Sequence, residues 1–289
     1  MLASCDTFLY PLPTLNGDCT MKWTLLLAVL YAPLFAQPSS PILPIPQLEQ
    51  EPVIDGNLSE WKEYAHNDGV WDMRRITQAP FYALDRGARN RLTIHGNESS
   101  LQSDLSARYY LAWDDTYFYF GAEVNDNVND TEDPDPADKR WYFRDAICWF
   151  MEGPRDLASE WFGQGDNAFC FTASSKKLPR HAWWRHGAAG QTYIEEPIPN
   201  VEWHVEFTGI EGNFVLEAKV EMASTFGQSD PNWRPAQVGH EYGVEIVHTD
   251  PDGGDYGGHF MIYGNGDDDI TWGHAVLVGP QTPVGRLSH

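Results

Sequence analysis

Apolar and polar positions alternate with a period of two over most of the chain beyond residue 106. "ARYYLAWD" (residues 107–114) and "YFYFGAEV" (117–124) are aromatic-rich runs on either side of the tight Asp115-Thr116 pair, which predicts a hairpin. "DAICWFME" (145–152) and "NAFCFTAS" (167–174) come next. "EWHVEFTG" (202–209) and "FVLEAKVEM" (214–222) flank "IEGN", a second hairpin. "YGVEIVHTD" (242–250), "GHFMIYG" (258–264) and "HAVLVG" (274–279) follow. No segment sustains a long helical period. Strands of this length with Gly, Asp, Asn and Pro at their turns predict an all-β antiparallel β-sandwich, immunoglobulin-like or jelly-roll-like, with long loops. Residues 74–106, 153–166 and 174–201 break the alternation and read as those loops, where a sandwich usually places its binding residues.

The first residues follow a different pattern. "MKWTLLLAVLYAPLFA" (21–36) has a basic start at Lys22, an apolar stretch and a small residue, Ala36, before Gln37. This is the shape of a secretory signal peptide, too short to span a bilayer comfortably. Residues 1–20 then read as a leader or an over-long gene start. Residues 37–52 hold five prolines and read as an extended linker. The domain is expected over 53–289, and the protein is expected to be secreted or periplasmic. Cys5 and Cys19 precede the signal, which leaves Cys148 and Cys170. An even count in an exported chain favours a disulfide over a metal site.

A net charge of −23 argues against nucleic acid and anionic membranes as partners, since both select basic surfaces. Aromatic residues make up 13% of the chain, too many for a disordered acidic polymer. There is no G-x-S-x-G, HExxH or P-loop, and no histidine spacing typical of metal ligands, so no enzyme class is indicated.

Four clusters are candidates for chemistry. "HAWWRHG" (181–187) offers Trp183 and Trp184 as stacking platforms. Alternatively one of them plugs the sandwich, because neighbours in extended backbone point opposite ways. "TDPDGGDYGG" (249–258) places Asp250, Asp252 and Asp255 around glycines; hard oxygen ligands on a tight loop suit Ca²⁺, but the spacing is not that of an EF-hand, and a solvated acidic turn is the favoured reading. The acidic run 125–139 carries the same two readings. Arg74, Arg75, Arg86, Arg89 and Arg91 either meet an acidic ligand or offset the chain's own carboxylates.

Taken in order, the motifs resemble family 9 carbohydrate-binding modules. "PVIDGNLSEW" (52–61) resembles the opening of that family, "LAWDDTYFYFGAEVND" (111–126) its second signature, and "WYFRDAICWFME" (141–152) its third. "IEGNFVLEAKVEM", "YGVEIVHTDPD" and "WGHAVLV" resemble the remaining three. The resemblance implies a DOMON-like sandwich that clamps a sugar ring between two aromatic side chains, with charged and amide groups holding its hydroxyls. It puts the first clamp aromatic at Trp141 or Tyr142 and the second in the turn before Trp272, where "GNGDDDIT" (264–271) holds no aromatic, which leaves Trp272 itself as the nearest candidate ring. Cys148 and Cys170 fall where sugar-binding members carry an acid and an arginine. The resemblance therefore implies a cross-strand disulfide in place of a charged pair, with an oligo- or polysaccharide as the partner and a link to carbohydrate catabolism. Some domains of this fold bind haem instead, with Met151, Met222, Met261, His248 and His259 available here as axial ligands. A third possibility is a structural or adhesive surface protein that keeps the sandwich without the site.

Overall fold

The computed structural model describes residues 42–82, 104–128, 141–158, 162–173, 182–188, 191–209, 212–251 and 258–281. Among them, two sheets pack face to face. The larger holds β1 (Leu43–Pro46), β5 (Ala146–Glu152), β6 (Asp166–Thr172), β7 (Ala182–Ala188), β8 (Gln191–Pro197), β11 (Glu241–Asp250), β12 (Gly258–Met261) and β13 (Gly273–Val278). Its order is β1-β13-β11-β5-β6-β7-β8, with β12 also paired to β11. The smaller sheet runs β2-β3-β4-β10-β9, formed by β2 (Trp71–Asp72), β3 (Leu105–Trp113), β4 (Tyr117–Asp126), β9 (Val201–Phe207) and β10 (Phe214–Glu221). Both expected hairpins, β3–β4 and β9–β10, are present as antiparallel pairs.

The inner faces are filled by rings. Phe118 and Phe120 of β4 meet Trp149 of β5, Phe169 and Phe171 of β6, Tyr242 of β11 and Phe226 of the short helix α1 (Phe226–Ser229). Phe120 and Trp149 lie 5.1 Å apart between ring centroids, and Phe118 meets Tyr242 edge-on at 5.2 Å. These are the offset and T-shaped contacts that aromatic quadrupoles prefer. His248 is also inside, fully buried, with the Tyr109 hydroxyl 2.7 Å from its Nδ1.

Two segments depart from the sequence expectation. The proline-rich stretch read as a linker contributes β1, which pairs parallel to β13, the only parallel pair among the named strands. Leu43 and Ile45 enter the core, while the prolines sit at the sheet edge, where a missing N–H is tolerated. The Trp113 indole N–H reaches the carbonyl of Ile45 at 3.0 Å and fastens the strand. The third expected loop, 174–201, contains β7 and β8. They form because β6 still has a free edge and because Trp184 inserts into the core. The loop after β5 is present as expected. It begins at Gly153, where an added Cβ would fall 2.0 Å from the Tyr242 ring.

The smaller sheet's outer face is covered by the segment before β2. Trp61 is buried between Tyr110 and Tyr119. Its indole N–H donates to Glu217 Oε1 at 2.7 Å, and the backbone N–H groups of Asp55 and Gly56 donate to Glu217 Oε2 at 2.9 and 2.8 Å. Gly56 has φ +88°, and a side chain there would strike His204.

Candidate functional site

The outer face of the larger sheet carries a second aromatic cluster. With a period of two, Cys148 and Phe150 of β5, Ala168 and Cys170 of β6, and Val247 of β11 turn away from the core and pack there together. The register lines up Met261, Val247, Cys148, Cys170, Trp183 and Pro197 in one row across six strands. Cys148 and Cys170 are directly opposed and disulfide-bonded, with Cα atoms 4.0 Å apart. The bridge thus forms the apolar middle of the face.

Rings surround it. The 3-10 turn Trp141–Phe143 lies at one end, where Trp141 stacks on His259 at 5.9 Å and Tyr142 meets Trp141 edge-on at 5.3 Å. Phe150 supports both Trp272, at 5.6 Å, and Phe162, at 5.9 Å. The Trp272 indole N–H donates to the Asn265 carbonyl at 2.9 Å. Trp141 and Trp272 are almost completely covered and act as floor, whereas Tyr142, Trp183 and Tyr193 are only partly buried. Beside Trp183, Arg185 of β7 donates from Nη2 and Nε to Glu195 Oε1 of β8, at 2.8 and 3.1 Å. The Arg185 guanidinium lies 4.3 Å from the Tyr193 ring centroid, a cation–π contact that leaves the pair at the rim of the aromatic patch.

Glu245 of β11 holds the turn that leads to Trp272. It is fully buried and accepts the backbone N–H groups of Ile246 and Ile262 at 2.9 and 2.5 Å, and those of Tyr263 and Gly264. Burial lifts its carboxyl to about 8, against those backbone N–H bonds, which favour the ionised form.

The predicted site residues are therefore divided. Trp141, Tyr142, Trp183 and Trp272 share this face; Trp184 does not. Trp184 is turned into the core, where its indole N–H reaches Asn167 Oδ1 at 3.0 Å and its ring stacks on His186 at 3.8 Å. Strand alternation sends the two neighbouring tryptophans to opposite faces. Asp250 is buried beside Asp126 and Asp145, with one oxygen of each within 4.8 Å of the others. Asp252 and Asp255 lie outside the described residues. Arg74 pairs with Asp72 and Arg75 with Asp68, offsetting the chain's own carboxylates; Arg86, Arg89 and Arg91 lie outside the described residues. The haem-ligand candidates are split between faces: Met151, Met222 and His248 point into the packed core, while Met261 and His259 lie on or beside the outer cluster. Tyr193 and Glu195 were not anticipated. The alternation of "TYIEEP" (192–197) holds the signal once that segment is recognised as a strand.

A two-sheet aromatic sandwich with partly exposed rings and an ion pair on one outer face has the build of a ligand-binding module. Residues 81–280 match the family model described as carbohydrate family 9 binding domain-like, and the chain belongs to that family. No curated protein matches the chain. Among solved structures, a family 9 carbohydrate-binding module from Caldicellulosiruptor kristjanssonii in complex with cellotriose is 13% identical. The match covers 86% of this chain and all of that one, with a TM-score of 0.50. The glucose complex of a family 9 module from the same organism is 14% identical, with 84% and 99% covered and a TM-score of 0.49. A putative carbohydrate-binding protein from Bacteroides uniformis is 8% identical, with 83% and 100% covered and a TM-score of 0.49.

Proposed function

We propose that the protein is a secreted, non-catalytic carbohydrate-binding protein of polysaccharide breakdown, which takes an oligosaccharide on the outer face of the larger sheet. The observation that carries this reading is the Arg185–Glu195 pair set against the partly exposed Trp183 and Tyr193. A sugar ring needs an apolar platform for its C–H face and fixed polar partners for its hydroxyls. The disulfide takes the place of the charged pair that the family resemblance implies at Cys148 and Cys170. Arg185 and Glu195 restore charge one and two strands further out, and Trp183 and Tyr193 bring rings to the same place. Tyr142 supplies a further ring at the other end of the face. The apolar segment before Gln37 and the paired cysteines support export.

Titration calorimetry with glucose, cellotriose and a panel of other oligosaccharides tests the reading. Binding of at least one sugar, abolished or weakened in Trp183→Ala and Arg185→Ala variants that retain the fold, is the expected result. Binding unaffected by both substitutions, or no binding to any sugar on a broad glycan array, would sink it.

A further inference from the structure

We infer that a cleft between the loop after β5 and the segment after α1 binds an acidic saccharide by its anionic group, a carboxylate or a sulfate ester. Arg155, Trp233, Arg234, His240 and Tyr242 are among the residues that line it, and its volume is about 350 Å³. Pockets that take a small ligand begin at roughly that size. Tyr142, Trp183 and Tyr193 do not border it, so it is separate from the aromatic outer face. The backbone fixes its walls. The Arg155 N–H donates to the Glu241 carbonyl at 3.2 Å, which ties the loop after β5 to the start of β11. Across the cleft, Asp230 accepts the Trp233 N–H on its carbonyl at 3.1 Å and the Asn232 N–H on Oδ1 at 2.8 Å. The Trp233 ring packs over Gly227, where an added Cβ would fall 3.1 Å from it. The Gly239 N–H donates to the Leu277 carbonyl at 2.8 Å, and the Leu277 N–H to the His240 carbonyl at 2.9 Å, so this stretch is pinned to β13. Tyr242, 2% exposed, closes the floor. Walls held this way need little ordering when a ligand arrives.

The charge in the cleft runs against that of the chain. Acidic residues outnumber basic ones 42 to 19, yet two guanidinium groups and an imidazole line one cavity. Among the described residues neither Arg155 nor Arg234 forms an ion pair, whereas Arg74, Arg75 and Arg185 each hold a carboxylate. Arg155 Nε is buried without a hydrogen-bond partner, and so is Trp233 Nε1. Buried donors without acceptors are unfavourable, and an anion rich in acceptors relieves them. Arg234 donates through Nη1 alone, to the carbonyls of Pro231, Asn232 and Trp233 at 3.3, 3.0 and 2.7 Å. Those bonds hold the guanidinium in place and leave its Nε–Nη2 edge, the fork that grips an oxyanion with two parallel hydrogen bonds. The one carboxylate in the lining, Glu241, is drawn to His274 Nε2 of β13 at 3.2 Å. The partly buried Trp233 ring offers a platform for the C–H face of a sugar. The anionic preference follows from the cleft alone; that the anion is carried by a saccharide rests on the carbohydrate reading above.

The experiment uses the full chain in calorimetry with uronic-acid oligosaccharides, their methyl esters, sulfated oligosaccharides and neutral cellotriose. The expected result is that at least one anionic sugar binds and that Arg155→Gln and Arg234→Gln each weaken it at least about tenfold. Trp183→Ala is expected to leave this affinity unchanged, and added salt to lower it. Loss of binding on methyl esterification would assign the carboxylate, and binding of the sulfated sugars alone the sulfate ester. Arg155 makes no side-chain hydrogen bond among the described residues, so its variant remains informative if Arg234→Gln loosens the turn. Affinity unchanged in both arginine variants, or lost in Trp183→Ala instead, would overturn the inference. Cellotriose bound while every anionic sugar is refused would overturn it and leave the outer-face reading standing; no sugar bound at all would overturn both.

Discussion

The outer face of the smaller sheet is closed by the protein's own chain, whereas that of the larger sheet ends in rings that remain partly exposed. Each face holds a buried glutamate on a central strand, Glu217 on β10 and Glu245 on β11. Glu217 accepts two backbone N–H groups and an indole from the covering segment, which pins that segment to the sheet. Glu245 accepts only backbone N–H groups, from its own neighbour Ile246 and from a nearby turn. It organises one edge of a face whose middle, the disulfide, is itself buried, while Tyr142, Trp183 and Tyr193 stay partly exposed around it. The same device serves closure on one side and scaffolding on the other. Rings that stay partly exposed beside a polar rim are the part of such a face that a ligand can reach.

The sharpest way to break this comparison is to remove the lid. Trp61→Ala deletes a buried indole and leaves Glu217 Oε1 without its donor, so a loss of about 3–5 kcal/mol in urea unfolding is expected. A loss below 1 kcal/mol would mean the segment merely rests on the sheet. On the opposite face, reducing the disulfide or replacing both cysteines by alanine is expected to cost about 3 kcal/mol in the chain-entropy model, for a sequence separation of 22 residues. Melting with and without reductant checks it. An unchanged midpoint would show that the bridge is dispensable to that face.

Much of this asymmetry was legible in the sequence. The alternation in "DAICWFME" and "NAFCFTAS" places both cysteines on one side, and their direct opposition follows from simple strand pairing. The covering motif was recognisable as a motif, but its partner Glu217 lies 156 residues away from Trp61, and only the topology joins them. β1 was hidden because prolines mask the alternation of Leu43 and Ile45. β7 was hidden because "HAWWRHG" reads as polar although Trp184 enters the core. With β7 taken as a loop, nothing could decide which tryptophan faces out.

Smaller effects sharpen the comparison. Trp183→Ala should weaken oligosaccharide binding by about 1–3 kcal/mol with little change in fold stability, whereas Trp184→Ala should destabilise the fold. Calorimetry and urea unfolding on the same samples separate the two, and the reverse pattern would exchange their assigned faces. Glu245 gives a pH signature. Its folded value of about 8 exceeds the ordinary 4.5, so the folded state holds the proton in a range where the unfolded chain has released it. Its contribution is fully present below pH 4.5 and is lost as pH rises through 8, by at most about 1.4 kcal/mol per unit. Subtracting the stability profile of Glu245→Gln from that of wild type isolates this slope, and a flat difference between pH 5 and 8 would contradict it.

The smallest effect concerns how the lid is held. Lys62, one residue after Trp61, donates to Glu123 Oε1 of β4 at 2.6 Å, and both side chains are about one-third exposed. An ion pair in that position is weakened by solvent and by the entropy of ordering a long side chain, and such pairs are worth about 0–1 kcal/mol. Glu123 keeps a second partner, the Tyr110 hydroxyl, so losing Lys62 does not leave the carboxylate bare. Lys62→Met retains an aliphatic stem over the sheet and removes the charge. The expected change in unfolding free energy is below about 1 kcal/mol, and it should shrink further as salt is raised. A larger, salt-sensitive loss would mean that electrostatics closes this face and that the buried Trp61 follows. An unmeasurable one places the closure in the indole and its glutamate, where the hydrogen bonds and burial already put it.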